Sequence, residues 1–331
     1  MRVRGVPVAL VALLLPPFVS PAGAVPVEDQ AATACVRQLP PGTQTIQVPF
    51  QGATYPVRVH VPNGAAARQT LPMVLNLHYS NGNADQQAAY SGLEPVGDQA
   101  GFITVQPNGN LPAATPNPNQ IWFWNVPGVP TTAGSYPPPD ARDDIAYLTK
   151  VIEHLTTVAC VDTSRVYITG HSGGARMASA YACARPDKIA ALGASAGLRA
   201  GRPSPLDPMF AELQSCAPRQ PVPVITFHGD ADTVNPYQGR ATDLRWGYST
   251  PLAVQTWAHL NDCKTGPTIT QVSAHVTRLT YTRCDGHAEV VLYKVAGGTH
   301  SWPGSPTDSS ATKEIHAFTL MWQFFQPHHR H

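Results

Sequence analysis

The sequence predicts an α/β fold built on a doubly wound, mostly parallel sheet. Short apolar runs rich in β-branched residues alternate with segments of helical periodicity, a pattern typical of parallel strands joined by crossover helices. The runs that we interpret as buried strands are residues 57–61, 73–77, 102–105, 166–169, 222–227 and 290–295. No stretch between them resembles an interdomain linker, so we expect residues 25–331 to form a single domain.

Three segments between and after these runs are predicted to be helical. In residues 145–155 apolar side chains recur at spacings of three and four. Asp143 and Asp144 come just before this segment, where the positive end of a helix dipole favours acidic residues. The Ala-rich segment 175–184 is the second predicted helix, and residues 312–325 are the third.

The overall composition excludes several other classes of protein. Of the 331 residues, 43% are hydrophobic and 13% are charged, which argues against a disordered chain and against a coiled coil. The formal net charge of +1 provides no excess of basic residues that would attract nucleic acid or an anionic membrane surface. We therefore expect a globular protein that binds no nucleic acid, and we take a monomer as its expected state.

Residues 1–24 are predicted to be a secretory signal peptide. Arg2 and Arg4 give a positive first region, residues 6–15 form a short apolar run, and Ala22-Gly23-Ala24 has the form of a cleavage site. The apolar run is shorter than a transmembrane helix requires, and prolines follow it directly. We expect export to the extracellular medium without a stable membrane anchor, and an uncleaved anchor is the alternative.

The six cysteines are predicted to form disulfides, because an even number in an exported chain is typical of an oxidising compartment. Six cysteines allow about 15 pairings, so the sequence alone does not decide between them. The pairing that we favour joins cysteines flanking two strand-like segments, cysteines bracketing one loop, and the remaining two: Cys263 with Cys284, Cys183 with Cys216, and Cys35 with Cys160. No Cys-x-x-Cys pair occurs, and we expect neither a metal nor a cofactor.

Residues 107–139 are predicted to be a long irregular loop, because nine prolines fall within them. A loop of this length inside a compact domain is often functional. It contains Trp122-Phe123-Trp124. These aromatic side chains either pack the loop onto the core or line a ligand cleft, and the sequence favours neither interpretation.

A nucleophile is predicted at Ser172. The predicted strand 166–169 runs into Gly170-His171-Ser172-Gly173-Gly174, and the Ala-rich helix follows directly. In a G-x-S-x-G elbow the glycines remove side chains where the strand turns sharply into the helix, which leaves the serine exposed at the positive helix end. The alternative is an ordinary Gly/Ser turn, but the strand and helix stand where an elbow requires them.

A serine at such an elbow needs a base and an acid, which follow it in the order Ser, Asp, His. Asp230 and Asp232 both come shortly after the predicted strand 222–227, and either carboxylate can orient a histidine. His300 follows the predicted strand 290–295 on a Gly-rich loop, which suits a base that must reach Ser172. The strand 73–77 runs into residues 78–82, where such folds supply one oxyanion-binding N–H, the other coming from Gly173.

Several motifs together resemble the secreted α/β-hydrolases grouped as polyhydroxybutyrate depolymerases and feruloyl esterases (LpqC-like). In chain order they are HYSNG (78–82), GFITVQPNG (101–109), DDIAYL (143–148), CVDTSRVYITGHSGGARMA (160–178), CARPDKIAALGASAG (183–197), HGDADTVNPY (228–237) and GGTHSWPG (297–304). The resemblance covers roughly residues 45–325 and implies the α/β-hydrolase fold. It implies Ser172 as nucleophile, Asp232 rather than Asp230 as the acid, His300 as the base, and Ser80 and Gly173 as oxyanion donors.

This sequence departs from the family pattern beside the implied acyl pocket. His78-Tyr79 stands where the family usually reads His-Gly, and His171 and Gly173 flank the serine where other residues are frequent. The resemblance implies a serine esterase that acts through an acyl-enzyme on polyhydroxybutyrate-like polyesters or on feruloyl or acetyl esters of plant polysaccharide. A secreted acyltransferase and a non-catalytic binding protein are the alternatives.

Aromatic residues near these motifs are candidates for binding the substrate. Such rings suit an aryl acyl group or a polyester segment, although packing in the core is the expected role of some of them. The candidates are Tyr79, Trp122, Trp124, Tyr237 and Trp302.

Overall fold

One mixed sheet of ten strands carries the fold within residues 35–330. The structure is a computed structural model, and it describes residues 1–2, 5 and 35–330. The signal peptide predicted over residues 1–24 therefore lies outside the described residues, except for Met1, Arg2 and Gly5. Residues Cys35–His331 form one compact unit.

Twelve strands and six α-helices lie within residues 35–330. The strands are Gly42–Phe50 (β1), Ala53–Val61 (β2), Leu71–Leu77 (β3), Ile103–Pro107 (β4), Leu111–Pro112 (β5), Trp122–Phe123 (β6), Val161–Gly170 (β7), Ala191–Ser195 (β8), Val224–Gly229 (β9), Thr265–Gln271 (β10), Val276–Thr282 (β11) and Val290–Val295 (β12). The α-helices are Ala84–Ser91 (α1), Leu93–Ala100 (α2), Asp144–Val158 (α3), Gly173–Ala184 (α4), Thr250–Leu260 (α5) and Ala317–Phe325 (α6).

The sheet is parallel at its centre and antiparallel at both edges. Its strand order is β1-β2-β4-β3-β7-β8-β9-β12-β11-β10. The strands from β4 to β12 in this order pair in parallel, whereas β1 and β2 at one edge and β11 and β10 at the other pair antiparallel. The predicted doubly wound, mostly parallel sheet is confirmed. All six predicted strands are present, as β2, β3, β4, β7, β9 and β12.

Helices cover both faces of the sheet. Met73 and Leu75 of β3 belong to the core cluster that also contains residues of α3, α4 and α5. Val74, which points to the opposite face, belongs to the cluster formed with α2 and α6. Successive side chains of a strand point to opposite faces, and parallel strands between two helical layers are buried on both. This explains why β3 and β4 are apolar runs that are buried throughout.

The predicted helices are present, although one is shorter than expected. Helix α3 begins after Asp143, whose side chain accepts the N–H of Ala146 at 3.0 Å. Helix α4 begins at Gly173, two residues before the predicted start. Helix α6 begins only at Ala317, because His316 caps it by accepting the N–H of Thr319 at 3.3 Å. The predicted extension over residues 312–316 is therefore wrong.

The favoured cysteine pairing is confirmed. Cys35 bonds to Cys160, directly before β7, and Cys183 at the end of α4 bonds to Cys216. Cys263 bonds to Cys284, and these two residues flank the β10–β11 hairpin. The first disulfide therefore ties the start of the described unit to the beginning of β7, the second ties the segment around Cys216 to α4, and the third closes the base of the β10–β11 hairpin.

The loop over residues 107–139 is largely irregular, as predicted. It contains one short hairpin, in which β5 and β6 pair antiparallel, and Trp122 of β6 also pairs with Gly82. This second pairing attaches the loop to the segment that follows β3. None of the helices within residues 35–330 has both the length and the apolar character needed to cross a membrane.

Candidate active site

Ser172 lies at a sharp turn between β7 and α4. Its backbone has φ 55° and ψ −118°, a conformation that a residue with a side chain rarely adopts. Gly170 and Gly174 flank the turn, and a Cβ at either position would clash with neighbouring backbone atoms, among them the carbonyl oxygen of Leu77. The G-x-S-x-G segment is therefore a strained elbow and not an ordinary turn.

The structure brings Ser172, His300 and Asp232 into one hydrogen-bonded row. Ser172 Oγ lies 2.8 Å from His300 Nε2, and His300 Nδ1 lies 2.7 Å from Asp232 Oδ2. The three residues follow β7, β12 and β9, which all point the same way in the sheet. The carboxyl ends of neighbouring parallel strands meet at one edge, so residues distant in sequence come together there.

Asp232 is buried and fully engaged. Its Oδ1 accepts the N–H groups of Val234 at 2.8 Å and Asn235 at 2.9 Å, while His228 Nε2 lies 3.2 Å from Oδ2. Burial by itself raises the pKa of this carboxyl, but hydrogen bonds from His228 and His300 outweigh burial and hold the pKa well below its usual range. Asp232 is therefore an anion when His300 carries a proton.

Asp230, the other candidate acid, contacts the residues before His300 and not His300 itself. Its Oδ1 accepts the N–H of Gly297 at 2.7 Å, and Lys294 Nζ lies 3.2 Å from Oδ2. Asp230 thus fastens the start of the loop that carries His300. The spacing in the sequence leaves open which of the two acids orients the histidine. In the structure, Asp232 contacts His300 and Asp230 does not.

Ser80 and Gly173 lie side by side next to Ser172. The two positions are so close that a Cβ at Gly173 would clash with Ser80 Oγ. Within the described residues, neither the N–H of Ser80 nor that of Gly173 donates to a backbone carbonyl. Two adjacent N–H groups beside the serine thus have no backbone acceptor among the described residues.

His78 fixes the loop that carries Ser80. Its Nδ1–H donates to the carbonyl oxygen of Tyr79 at 2.7 Å, and its Nε2 accepts the N–H of Gly109 at 2.9 Å. Trp124 Nε1 donates to the carbonyl oxygen of His78 at 2.8 Å. Burial lowers the pKa of His78 to about 4, which agrees with a neutral ring whose Nε2 is an acceptor.

A cleft of about 350 Å³ opens in front of Ser172. The described residues that line it carry aromatic rings, hydroxyls, one amide and one aliphatic side chain, and none is Lys, Arg, Asp or Glu: Tyr79, Ser80, Asn81, Tyr90, Thr132, His171, Ser172, Val234 and His300. His171 is buried in its wall, with its ring centroid 5.1 Å from that of His300. Burial, reinforced by the His300 charge, lowers the pKa of His171 well below its usual value, so this wall is neutral.

Of the five aromatic candidates for substrate binding, the structure brings only Tyr79 into the lining of the cleft. Trp124, Tyr237 and Trp302 are 2%, 7% and 0% exposed, respectively. Trp124 is held by His78, and Tyr237 and Trp302 belong to core clusters, so packing is the role that their burial indicates. Trp122 is half-buried and attaches its loop by donating its N–H to Gly82 O at 2.9 Å.

The sequence reasoning missed Tyr90, which forms part of the cleft and also holds the His300 loop. The Tyr90 hydroxyl accepts the N–H of Trp302 at 3.0 Å and donates to Asp308 Oδ2 at 3.0 Å. Both contacts span more than 200 residues of sequence, and no local pattern indicates them. His228 was also missed, although its place at the end of β9, four residues before Asp232, offered a signal.

Comparison with known proteins decides the family. The family model described as "Esterase PHB depolymerase" matches residues 55–231. The chain belongs to this esterase family. As a member, it is a carboxylic ester hydrolase, and its substrates are esters.

This esterase is similar to several named relatives. It is 29% identical over 282 residues to "Putative esterase NocK" of Nocardia uniformis subsp. tsuyamanensis, an alignment that covers 79% of this chain and 74% of the relative. It is 27% identical over 250 residues to "Feruloyl esterase B" of Piromyces equi, covering 74% of this chain but 42% of that protein. With "Poly(3-hydroxyalkanoate) depolymerase C" of Paucimonas lemoignei it shares 31% over 143 residues, 42% of this chain and 30% of the relative.

Solved structures show the fold of this esterase. The "Acetyl xylan esterase from Aspergillus awamori" superposes with a TM-score of 0.56 at 16% identity and covers 86% of this chain and 98% of its own. A second solved structure, described as a thermostable esterase, superposes with a TM-score of 0.52 at 15% identity, over 87% of this chain and 63% of its own. The fold is that of the α/β-hydrolases, as the resemblance implied.

Proposed function

We propose that this esterase is a serine hydrolase in which Ser172 is the nucleophile, His300 the general base and acid, and Asp232 the orienting carboxylate. The observation that supports this most strongly is the hydrogen-bonded row from Ser172 Oγ through His300 to Asp232. The strained elbow at Ser172 adds to it, because it presents Oγ to the cleft.

The proposed reaction has two halves. His300 Nε2 takes the proton of Ser172 as Oγ attacks the ester carbonyl carbon, and the resulting oxyanion accepts the N–H groups of Ser80 and Gly173. The tetrahedral intermediate expels the alcohol, which takes the proton from His300, and an acyl-serine remains. Water then gives a proton to His300 and attacks the acyl carbon, after which the acid leaves and Ser172 regains its proton.

Asp232 is assigned the task of holding His300 in the productive tautomer. With its carboxylate 2.7 Å from Nδ1, that nitrogen carries the hydrogen and leaves Nε2 free to accept the proton of Ser172. The low pKa of Asp232 keeps it ionised, so that it stabilises the imidazolium formed in each half-reaction. The N–H groups of Val234 and Asn235 fix the carboxylate in this position.

We further propose that the substrates are neutral esters: polyhydroxybutyrate-like polyesters, or feruloyl or acetyl esters of plant polysaccharide. The uncharged lining of the cleft supports this class, and Tyr79, Tyr90 and His171 offer rings against which an aryl or short aliphatic acyl group can pack. The printed names of the relatives, which include a feruloyl esterase and a poly(3-hydroxyalkanoate) depolymerase, point to the same substrates.

The predicted export and the expected monomer are part of the proposal. Three disulfides within residues 35–330 suit an oxidising compartment, and the sequence of residues 1–24 has the features of a signal peptide. The proposed triad, the two N–H donors and the cleft all come from one chain, so residues 25–331 are proposed to act as one catalytic domain without a second copy.

The test compares the wild type with Ser172→Ala on p-nitrophenyl acetate, methyl ferulate, acetylated xylan and amorphous polyhydroxybutyrate. We expect acid release by the wild type and a loss of at least ~10⁴-fold in kcat for Ser172→Ala. Ser309→Ala, which changes an exposed serine outside the cleft, is the matched control and should retain full activity. The ranking of the four esters then identifies the preferred acyl group.

Three results would overturn parts of this proposal. Activity retained by Ser172→Ala would exclude Ser172 as the nucleophile. Acyl transfer to an added alcohol without release of acid would favour the acyltransferase alternative. A fluorophosphonate adduct of equal yield on wild type and Ser172→Ala, measured by intact mass, would place the reactive group elsewhere.

A further inference from the structure

A second cavity, of about 230 Å³, is lined by four arginines and, among the described residues, by no acidic side chain. We call it the arginine cavity; its arginines are Arg176, Arg199, Arg202 and Arg245. Val126, Val129 and Ala180 give it apolar walls. It is separate from the cleft in its lining, although the segment 126–132 contributes to both, since Thr132 lines the cleft.

Two of the four arginines are neutralised by carboxylates. Arg202 pairs with Glu212 at 2.5 Å, and Arg245 pairs with Asp243 at 2.9 Å. Both arginines are partly exposed, so water also solvates their charge. They contribute little uncompensated charge to the cavity, which leaves Arg176 and Arg199 as the unusual pair.

Arg176 and Arg199 are each 4% exposed, and within residues 35–330 neither forms an ion pair with a carboxylate. Arg176 donates to the carbonyl oxygens of Arg245 at 2.8 Å and Pro130 at 3.2 Å. Arg199 donates to Leu198 O at 2.6 Å and to Asn235 Oδ1 at 2.7 Å. The Nε of each arginine is buried without an acceptor among the described residues.

This arrangement is unfavourable unless an anion completes it. A buried charge without a counter-ion, or a buried N–H without an acceptor, is unfavourable because the group loses its hydration and gains no replacement for it. Trp246 lies under both guanidinium groups, at 4.9 Å from Arg176 and 5.4 Å from Arg199, and offsets part of this cost through its ring electrons. The ring is uncharged. Asp243 acts on both guanidinium groups, and Asp232 on that of Arg199, only from beyond ion-pair distance, so neither arginine has a carboxylate in contact within the described part of the chain.

We propose that the arginine cavity binds a small organic monocarboxylate, whose carboxylate pairs with Arg176 and Arg199 and whose apolar body contacts Val126, Val129 and Ala180. Carboxylate oxygens accept strongly from guanidinium N–H groups, and the Nε–H of each of these two arginines has no acceptor among the described residues. The volume is below the roughly 300 Å³ at which pockets for drug-sized ligands begin, so the ligand is small. An inorganic anion would leave the apolar walls uncovered.

Ester hydrolysis by this family releases a carboxylic acid, so the expected ligand is an acid of the kind that the protein itself produces. A uronate has the same carboxylate but a polar sugar ring in place of an aliphatic or aryl body. It therefore tests whether the apolar walls take part in binding.

The experiment measures binding by calorimetry with the wild-type chain at neutral pH. The probes are 3-hydroxybutyrate, ferulate and glucuronate, each beside its uncharged counterpart (1,3-butanediol, coniferyl alcohol and glucose), together with sulfate and phosphate. Ala180→Phe fills the cavity from α4 while all four arginines are kept. Ala180→Ser preserves the space and is the matched control. Arg176→Met removes one of the two charges.

We expect saturable binding of one carboxylate per chain and at least tenfold weaker binding of its uncharged counterpart. Ala180→Ser should bind like the wild type, and both Ala180→Phe and Arg176→Met should weaken binding at least tenfold. Ala180→Phe should hydrolyse p-nitrophenyl acetate at the wild-type rate, because the residue lies outside the cleft. Either 3-hydroxybutyrate or ferulate should bind more tightly than glucuronate, because the sugar ring of glucuronate is polar.

Several results would overturn the proposal. These are the absence of binding by all three carboxylates, equal binding of their uncharged counterparts, tighter binding of glucuronate, sulfate or phosphate, or undiminished binding by Ala180→Phe. If thermal unfolding shows that Ala180→Phe is destabilised, undiminished binding by folded Arg176→Met counts against the proposal in the same way.

Discussion

The cleft lies at the start of α4 and the arginine cavity lies along that helix, and the two differ most in fixed charge. Ser172 and His171, just before α4, and the neighbouring rings give the cleft a lining without Lys, Arg, Asp or Glu among the described residues. One turn further along, Arg176 begins the wall of the arginine cavity, which has four positive side chains. The N–H of Arg176 donates to the carbonyl oxygen of Ser172 at 3.0 Å, so the first turn of α4 connects a residue of the cleft to one of the arginine cavity.

Because of this difference, an ester bound in the cleft meets no Lys, Arg, Asp or Glu side chain among the described lining residues. A neutral ester gains nothing in its ground state from a fixed positive charge, whereas the acid product would be retained by one. In the proposed mechanism, the N–H dipoles of Ser80 and Gly173 act instead on the oxyanion, which exists only during the reaction. The positively charged arginines instead line the cavity in which we propose that a carboxylate binds, and that ligand is an anion before it binds.

The largest effect is expected for Asp232→Asn, which tests whether catalysis in the cleft is independent of binding in the arginine cavity. We expect kcat for p-nitrophenyl acetate to fall by about 10⁴-fold, because an amide favours the wrong tautomer of His300 and does not stabilise the imidazolium. Carboxylate binding in the arginine cavity should change less than about threefold. Steady-state kinetics and calorimetry on the same preparation measure the two effects.

Asp230→Asn is the matched control, since Asp230 contacts Gly297 and Lys294 but not His300. It should retain kcat within about tenfold. If instead Asp232→Asn also abolishes carboxylate binding, the two cavities are coupled through Asn235, which contacts both Asp232 and Arg199.

The next largest effect is expected for Gly173→Ala. The added Cβ would clash with Ser80 Oγ and separate the two N–H donors, so kcat should fall by about 10²- to 10³-fold with little change in KM. The double variant Ser80→Ala/Gly173→Ala removes the clashing hydroxyl and should recover part of the loss. A double variant no more active than Gly173→Ala would refute displacement of the donors as the cause.

How far the sequence predicts the fold depends on the element. The central strands were predicted because their long apolar runs are buried on both faces of the sheet. Strand β8 was missed, because Ala191-Leu-Gly-Ala-Ser195 has no strand preference of its own. It is a strand because β7 and β9 supply its hydrogen-bonding partners on both sides.

For the site too, the sequence predicts some residues and not others. Ser172, Asp232 and His300 could be predicted to meet because each follows a strand that ends at the same edge of the sheet. The direction of an aromatic side chain is set by packing, which leaves no local pattern, and therefore Trp302 was expected near the substrate but is fully buried. Arg176 and Arg199 were not singled out, because a cavity wall made of distant residues has no sequence motif.

Lowering the pH should destabilise the protein, because His78 is neutral in the folded state and becomes protonated on unfolding. The pKa of His78 is about 4 in the folded protein and about 6.5 when unfolded, so between these values the unfolded state binds more protons. This contribution to the free energy of unfolding is therefore complete above pH 6.5 and falls, by on the order of 3 kcal/mol, as the pH drops towards 4. Urea unfolding from pH 7 to 4.5 should show a flatter dependence for His78→Gln than for the wild type, and parallel curves would argue against a neutral His78.

The smallest effect, and the one confined most closely to the cleft, is expected for Tyr90→Phe. The ring remains in the wall, but Trp302 loses the acceptor of its N–H and Asp308 loses a donor, so the loop that carries His300 is held less firmly. We expect kcat to fall about tenfold with KM unchanged, and Asp308→Asn, which leaves the Trp302 contact intact, to cause a smaller loss. A raised KM with unchanged kcat would mean that the hydroxyl binds the substrate. Carboxylate binding in the arginine cavity should be the same in all three proteins, because Tyr90 belongs to the neutral cleft alone.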